Sequence, residues 1–390
     1  MHDADVLIVG AGPAGAIAAH ALAAAGARVI LIDGSHPREK PCGGGVTGRA
    51  LALARDALNG HPLPLVTVRH ARFVDPGGGI GASVPLGGGS LIVAARRDFD
   101  AAIVDAAVGR GARLVRERAI DVASDGRLAR VSTRTAAYRA PFLIGADGAG
   151  GLTRHRLARP FRREELSIAT GFFLHGASSS DILIEMVTDP PGYLWSFPRP
   201  THLAIGICAQ ADAGVSAAAL QARARRWIAE RNLGAGRLEG YSWPIPSLTA
   251  DAFDALAFAG PNWCLAGDAA GLVDPITREG IFYALASGLW AAEAARARDT
   301  AVYRRQVQHH AIAELRRAAE LKAAFFRPTF SRLFTLALTR SPAIRAVTAD
   351  LVAGTQPYRS LKWRLLSTFE WRLAWEVVQL SRLSRSRADP

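Results

Sequence analysis

Three glycines between two short apolar runs constrain this chain more than any other feature. Residues 5–33 read DVLIVGAGPAGAIAAHALAAAGARVILID. The first run, Asp5–Val9, ends at Gly10, and a second run rich in Val and Ile ends at Asp33. The stretch between them has the composition of a buried helix, so the order is strand, turn, helix, strand. Gly10, Gly12 and Gly15 then occupy the turn in the spacing G-x-G-x-x-G. The first permits the tight turn, the second lets backbone approach a pyrophosphate, and the third lets helix and strand pack closely. Unpaired N–H groups at the helix start favour phosphate there. Asp33 follows Gly15 by 18 residues, where a carboxylate reaches ribose hydroxyls. A dinucleotide-binding βαβ unit is the expected result.

The remainder of the chain sets the expected fold class. Helical spacing over 97–110, short strands over 112–144 ending in FLIGADG, and a buried strand in WCLAGDAAG followed by a long helix all suit the same α/β unit. Residues 64–94 and 166–208 are rich in strand formers and broken by glycines. The expectation is a Rossmann-like domain built from 1–60, 96–160 and 260–298. Interleaved with it is an antiparallel substrate domain from 61–95 and 161–259, and 299–390 form a helical, basic C-terminal region.

Composition narrows the setting. Three cysteines in 390 residues do not make a disulfide framework and suit a reducing compartment. The start of the sequence has no signal-peptide pattern, and no apolar run reaches the ~18–20 residues of a membrane span. A cytoplasmic protein is expected, or one peripheral on the inner face of the membrane. Net charge is +13, and residues 296–390 alone hold 18 Lys and Arg against 7 Asp and Glu. Nucleic acid and an anionic membrane are the two physical partners for such a region. No nucleic-acid-binding motif is present, so the membrane is favoured. His20, His155 and the His309–His310 pair lack metal-ligand spacing, and no metal is expected.

Three further segments carry a family resemblance. They are RRDFD (96–100), LIGADGAGGLTRHRL (143–157) and WCLAGDAAGLVDPITREGIFYALASG (263–288). In this order they resemble the FAD-dependent group containing aromatic hydroxylases, flavin halogenases and geranylgeranyl reductases. The resemblance implies that Gly10, Gly12, Ala14, Gly15 and Asp33 hold the ADP half of FAD. It also implies that Arg96 contacts the cofactor and that a strand around Ala119 lies by the adenine. Asp268 would bind the ribityl or pyrophosphate portion, with Gly280 and Ile281 presenting N–H groups to the flavin ring. Asp147 fits the family's Asp-Gly motif, but Gly151 stands where a small polar residue is expected.

Two motifs single out one branch. PCGGG (41–45) is similar to a motif of geranylgeranyl reductases in which the cysteine lies near the flavin. Cys42, Gly43 and Gly45 would then border the reactive edge, with Cys42 as the catalytic candidate. GYLWSFP (192–198) is similar to their Y-x-W-x-F-P sequence. At strand spacing Tyr193, Trp195 and Phe197 share one face, a wall suited to a long apolar substrate. Halogenases carry a related motif and a catalytic lysine. The only lysines here are Lys40, Lys322 and Lys362, none at the halogenase position.

The implied activity is FAD-dependent reduction of carbon–carbon double bonds in a prenyl lipid. The alternative is a monooxygenase or halogenase acting on a lipophilic compound. Electrons would come from NADPH or a small carrier, and Cys42, Tyr193 or water would supply the proton. Leu361, Leu365, Phe369, Leu373 and Val377 recur at four-residue steps, flanked by Trp363, Trp371, Trp375 and several arginines. That pattern predicts either a helix lying on an anionic membrane or one packed on the catalytic domain with its basic face exposed.

Overall fold

The computed structural model describes residues 2–74, 80–368 and 370. Five short strands form an entirely parallel sheet in the order Trp263–Leu265, Phe142–Gly145, Val6–Val9, Val29–Ile32, Arg113–Val115. Residues of the four strands other than Arg113–Val115 are buried throughout, which is why they read as unbroken apolar runs and not as alternation. Helices Pro13–Ala24, Arg96–Gly109 and Ile281–Ala297 complete this unit. The first and third cross so closely that a Cβ on Gly288 would lie 2.3 Å from the Ala14 carbonyl oxygen. Alanine and glycine at the crossing are therefore packing choices, which explains the Ala-rich stretch.

The two strand-rich stretches meet in a second sheet of seven strands. Its order is Leu238–Pro246, Leu166–His175, His202–Gln210, Pro191–Pro198, Ile182–Thr188, His70–Val74, Ile80–Pro85. All neighbours are antiparallel except Ile182–Thr188 with His70–Val74. Strands Leu65–Thr67 and Leu91–Ala94 instead join Gly45–Thr47 in a small separate sheet. One face of the large sheet is covered by helix Ala217–Glu230, whose Leu220, Ala224 and Trp227 pack on Phe172, Leu194, Ile205 and Ile207. The other face looks into a cavity.

After residue 299 the chain first returns to the α/β core. Tyr303, Val307, Ala311, Ile312 and Leu315 are buried in the same cluster as the parallel sheet. Beyond helix Ala313–Phe325, two short helices, Pro328–Arg340 and Pro342–Val352, pack on the open face of the large sheet, and a third, Tyr358–Leu366, packs beside them on Ala313–Phe325. Proline begins the first two, where its missing N–H costs nothing. Phe334 meets Phe73 edge-on at 5.4 Å, and Leu338 is buried in the cluster holding Val84 and Ile182. These helices form a ceiling over the sheet.

The expected membrane stripe falls partly on this ceiling. Leu361 and Leu365 line the cavity, and Leu361 packs with Ile276, Ala318 and Tyr358. Trp363 is 71% exposed. Phe369, Trp371, Arg372, Leu373, Trp375, Val377, Arg382, Arg385 and Arg387 lie outside the described residues. Among the described residues no helix is long and apolar enough to cross a membrane.

Candidate functional site

The glycine turn is built as its spacing requires. Gly10 has φ +99°, and a Cβ there would lie 2.3 Å from the Ala146 carbonyl oxygen. Gly15 is as tightly placed, with its Cβ direction 1.9 Å from the Gly10 carbonyl oxygen. Gly12 differs: nothing lies within 4 Å of its Cβ direction, and it lines the cavity. Two glycines serve packing, and the third leaves backbone open to a ligand. Asp33 caps the arrangement from the next strand. The Ala11 N–H donates to its Oδ2 at 2.8 Å, and the Ser35 N–H and hydroxyl donate to its Oδ1 at 2.7 and 2.6 Å. Burial opposes the charge, but these bonds prevail and hold the carboxyl below its usual range.

A single cavity of about 2420 Å³ runs from this cradle. A typical small-molecule site holds about 300–1,000 Å³, so there is room for a dinucleotide and a long second ligand. Ala14, Arg96, Ala119, Asp268, Gly280 and Ile281 all line it. Ala119 does so from the loop between strands Arg113–Val115 and Asp121–Ser124, not from a strand as expected. Here the chain passes from the parallel sheet to a separate, mostly antiparallel one, so residues 116–120 form the connection. Arg96 is buried, and its Nε and Nη2 donate to both oxygens of Asp100 at 2.9 and 2.8 Å. Lys40 pairs with Asp268 at 2.8 Å. Burial works against the Asp268 charge, yet Lys40, Arg96 and Arg38 keep its pKa below the ordinary value. Gly280 caps helix Ile281–Ala297, and Glu279 before it accepts from Thr47 Oγ1 at 2.7 Å and from Arg49.

Gly151 has a spatial reason. A Cβ there would sit 2.2 Å from Asp147 Oδ1, so the carboxylate occupies the space itself. The polar group expected at 151 is supplied instead by Thr153, which donates to Asp147 through both its N–H and Oγ1.

The loop bearing PCGGG lies against the aromatic strand. Gly44 has φ +85°, and its Cβ would meet the Ala94 carbonyl oxygen at 2.3 Å. Gly43 and Gly45 face the Phe197 ring, at 3.0 and 2.9 Å from where a Cβ would be. The sequence suggested glycines kept bare for a cofactor; the structure adds that two of them make room for Phe197. Cys42 is half-buried, lines the cavity, and its Sγ accepts from the Gly44 N–H at 3.3 Å.

Arg199 holds this loop and was not anticipated. Its side chain is fully buried, pairs with Glu39, and donates to the Cys42 carbonyl at 2.6 Å and the Gly43 carbonyl at 3.4 Å. Glu39 in turn accepts from the Arg96 N–H at 3.1 Å. Aromatic strand, cysteine loop and the start of helix Arg96–Gly109 are thereby joined. Only the position of Arg199 directly after the aromatic motif hinted at this.

Tyr193, Trp195 and Phe197 do share one face and line the cavity. Across the ladder Tyr193 and Trp195 oppose Met186 and Ile184, which line it too, as does Ile182. Gly206, opposite Trp195, leaves room for the indole, which a Cβ would meet at 2.4 Å. The ceiling helices add Phe325, Phe330, Phe334 and Leu351. The Tyr193 hydroxyl donates to the Thr277 carbonyl at 2.9 Å, and burial pushes its pKa well above the usual value. Among the described residues no group of three or more His, Cys, Asp and Glu could hold a metal.

A glycine cradle with an acid on the next strand, opening into an apolar chamber, is the arrangement of a dinucleotide-dependent enzyme with an apolar substrate site. The chain matches the FAD binding domain family over residues 3–286. It is 33% identical to a menaquinone reductase of Mycobacterium tuberculosis, covering 76% of this chain and 78% of that one. It is 30% identical to a geranylgeranyl diphosphate reductase of Rhodobacter capsulatus, covering 75% of each. Among solved structures, a geranylgeranyl bacteriochlorophyll reductase-like protein of Thermoplasma acidophilum superposes with a TM-score of 0.77 at 21% identity, covering 94% of this chain and 100% of that one. A flavin-dependent brominase superposes at 0.72 with 20% identity, covering 95% and 99%, which shows the shared fold alone. The chain belongs to the geranylgeranyl reductase family within this FAD-binding superfamily, and it is an FAD-dependent oxidoreductase.

Proposed function

We propose that the protein reduces carbon–carbon double bonds in a prenyl lipid. The observation that carries this reading is the continuity of the cavity, from the Gly12 cradle past Cys42 to a chamber walled by Trp195, Phe197, Phe330 and Phe334. Such walls offer contact area and few hydrogen bonds, which suits a polyisoprene tail. Bound and reduced, FAD supplies a hydride to one alkene carbon, and the other carbon takes a proton. Gly10, Gly12, Gly15 and Asp33 would hold its ADP half, and Asp268 with the start of helix Ile281–Ala297 its flavin side. The protein's part is to orient the alkene against the aromatic strand and keep water out. The Tyr193 hydrogen is committed to Thr277, which leaves Cys42 as the proton donor we favour.

Such a substrate resides in a bilayer. We take the exposed Trp363 and its neighbour Lys362 as part of an anionic-membrane contact. The test is anaerobic: reduce the flavoprotein, add prenyl lipids in neutral or anionic vesicles, and follow flavin reoxidation with product mass. Reoxidation with a gain of two hydrogens, faster on anionic vesicles, is expected. Reoxidation only after oxygen is admitted, with an oxygenated product, would replace this reading by a monooxygenase.

Cys42→Ser is expected to retain FAD but lower the reduction rate about 100-fold, the lower end of what a positioned proton donor contributes. The check is single-turnover reoxidation beside flavin content. An unchanged rate would make Cys42 a packing residue.

A further inference from the structure

Two basic side chains near the chamber have no ion-pair partner among the described residues. Helix Ala313–Phe325 directs Lys322 against the end of strand Leu238–Pro246. Its Nζ donates to Ser247 Oγ and to the Ser247 carbonyl, both at 3.2 Å, and approaches Gln210 Oε1 at 3.4 Å. The buried Ser247 hydroxyl gives its own hydrogen to Gln210 Oε1 at 2.9 Å and accepts from Arg278 as well. Arg278 lines the cavity, and its Nε is buried with no hydrogen-bond partner.

Neither Lys322 nor Arg278 forms an ion pair among the described residues. Asp212 acts on Lys322 only through space and is itself exposed. Asp274 Oδ1 is taken by the N–H groups of Ile276 and Thr277. Burial first, then the nearby Arg278, pushes the Lys322 pKa down to about 7. Buried charges are ordinarily paired, because leaving one unpaired is costly. Arg278 is also held at φ +61°, a conformation unfavourable for a residue with a Cβ. Strain and unpaired charge therefore coincide on one side chain facing the cavity.

The location matters as much as the charge. Thr277, the residue before Arg278, accepts the Tyr193 hydroxyl. Arg278 thus lines the cavity beside the first ring of the aromatic strand, next to Glu279 and Gly280.

We propose that Arg278, backed by Lys322, binds the phosphate or diphosphate headgroup of the lipid whose tail fills the chamber. The inference rests on the prenyl-lipid reading and makes it narrower, since a quinone headgroup carries no such charge. The same chemistry would also accept a free anion, so the test separates the two.

Binding to the FAD-loaded, oxidised full chain is measured by calorimetry with geranylgeranyl diphosphate, geranylgeraniol and inorganic diphosphate. The lipid diphosphate should bind about tenfold or more tighter than the alcohol, as expected for hydrogen bonds to a charged group. Arg278→Gln should collapse that preference towards one. Lys322→Gln, which approaches the site from a different element, should reduce it as well. Inorganic diphosphate binding as tightly as the lipid would overturn the lipid assignment in favour of a free anion. Equal affinity for lipid diphosphate and alcohol, or a preference that survives Arg278→Gln, would overturn the site itself. Failure of the prenyl-lipid reading looks different: neither lipid then reoxidises the reduced flavin, whatever the binding preference.

Discussion

Arg199→Met is expected to lower the melting temperature on the order of 5–10 °C and to loosen FAD. The guanidinium is the common partner of Glu39, the Cys42 carbonyl and the Gly43 carbonyl. Methionine fills much of the volume but leaves a carboxylate and two carbonyls without their donor. Breaking one side of a buried ion pair costs about 3–5 kcal/mol. Glu39 keeps some contact with solvent, so the lower end applies, and a kilocalorie shifts the midpoint of a large domain by roughly 2–4 °C. Because Glu39 also caps the Arg96 N–H, cofactor retention should fall along with stability. Glu39→Gln keeps a neutral acceptor and should cost less. Thermal melts read alongside flavin fluorescence release give the answer. Melting and release both unchanged would show that Arg199 merely fills space.

The second large effect concerns the glycine run, where the structure predicts an order. Gly44→Ala should be the most damaging, because its Cβ would press on backbone, the Ala94 carbonyl, from a left-handed conformation. Gly45→Ala and Gly43→Ala press instead on the Phe197 ring, a side chain that can move. At Gly44 the left-handed conformation alone costs about 1–2 kcal/mol for a residue with a Cβ, before any clash. A loss of reduction rate of roughly 100-fold or more is expected for Gly44→Ala, since misplacement by about 1 Å can cost that much. The decisive comparison is a double substitution. Phe197→Leu should restore part of the activity of Gly45→Ala and none of that of Gly44→Ala. Equal rescue of both would mean that the loop is not shaped by Phe197 in the way the contacts indicate.

These two cases also mark what could be read from sequence and what could not. The turn at Gly10, Gly12 and Gly15 was legible because its constraints are local: a turn, an open backbone and a close crossing within a few residues. The aromatic face of 193–197 was legible because strand alternation alone fixes it. The partners of these residues were not. Arg199 reaches Glu39 across 160 positions, and Thr47 reaches Glu279 across 232. No periodicity connects such pairs. Lys322 was counted in the sequence as a lysine absent from a halogenase position. Its meeting with Ser247 and Arg278 depends on a C-terminal helix folding back over the large sheet. The strand expected at Ala119 failed for a related reason. That segment carries the chain from the parallel sheet to a separate, mostly antiparallel sheet, a change of partner that local propensity does not encode.

The ceiling helices have a consequence for how such a protein diversifies. The glycine cradle and the cysteine loop are shaped by residues 10–45 together with Ala94 and Ala146, whereas helices Pro328–Arg340, Pro342–Val352 and Tyr358–Leu366 close the chamber from above. Chamber height can therefore drift through Phe330, Phe334 or Leu351 without disturbing any atom that shapes the glycine turn. Inheritance can keep the chemistry fixed while the upper half of the ruler that measures the substrate is recut, and a graft of 328–366 between relatives would transplant that half.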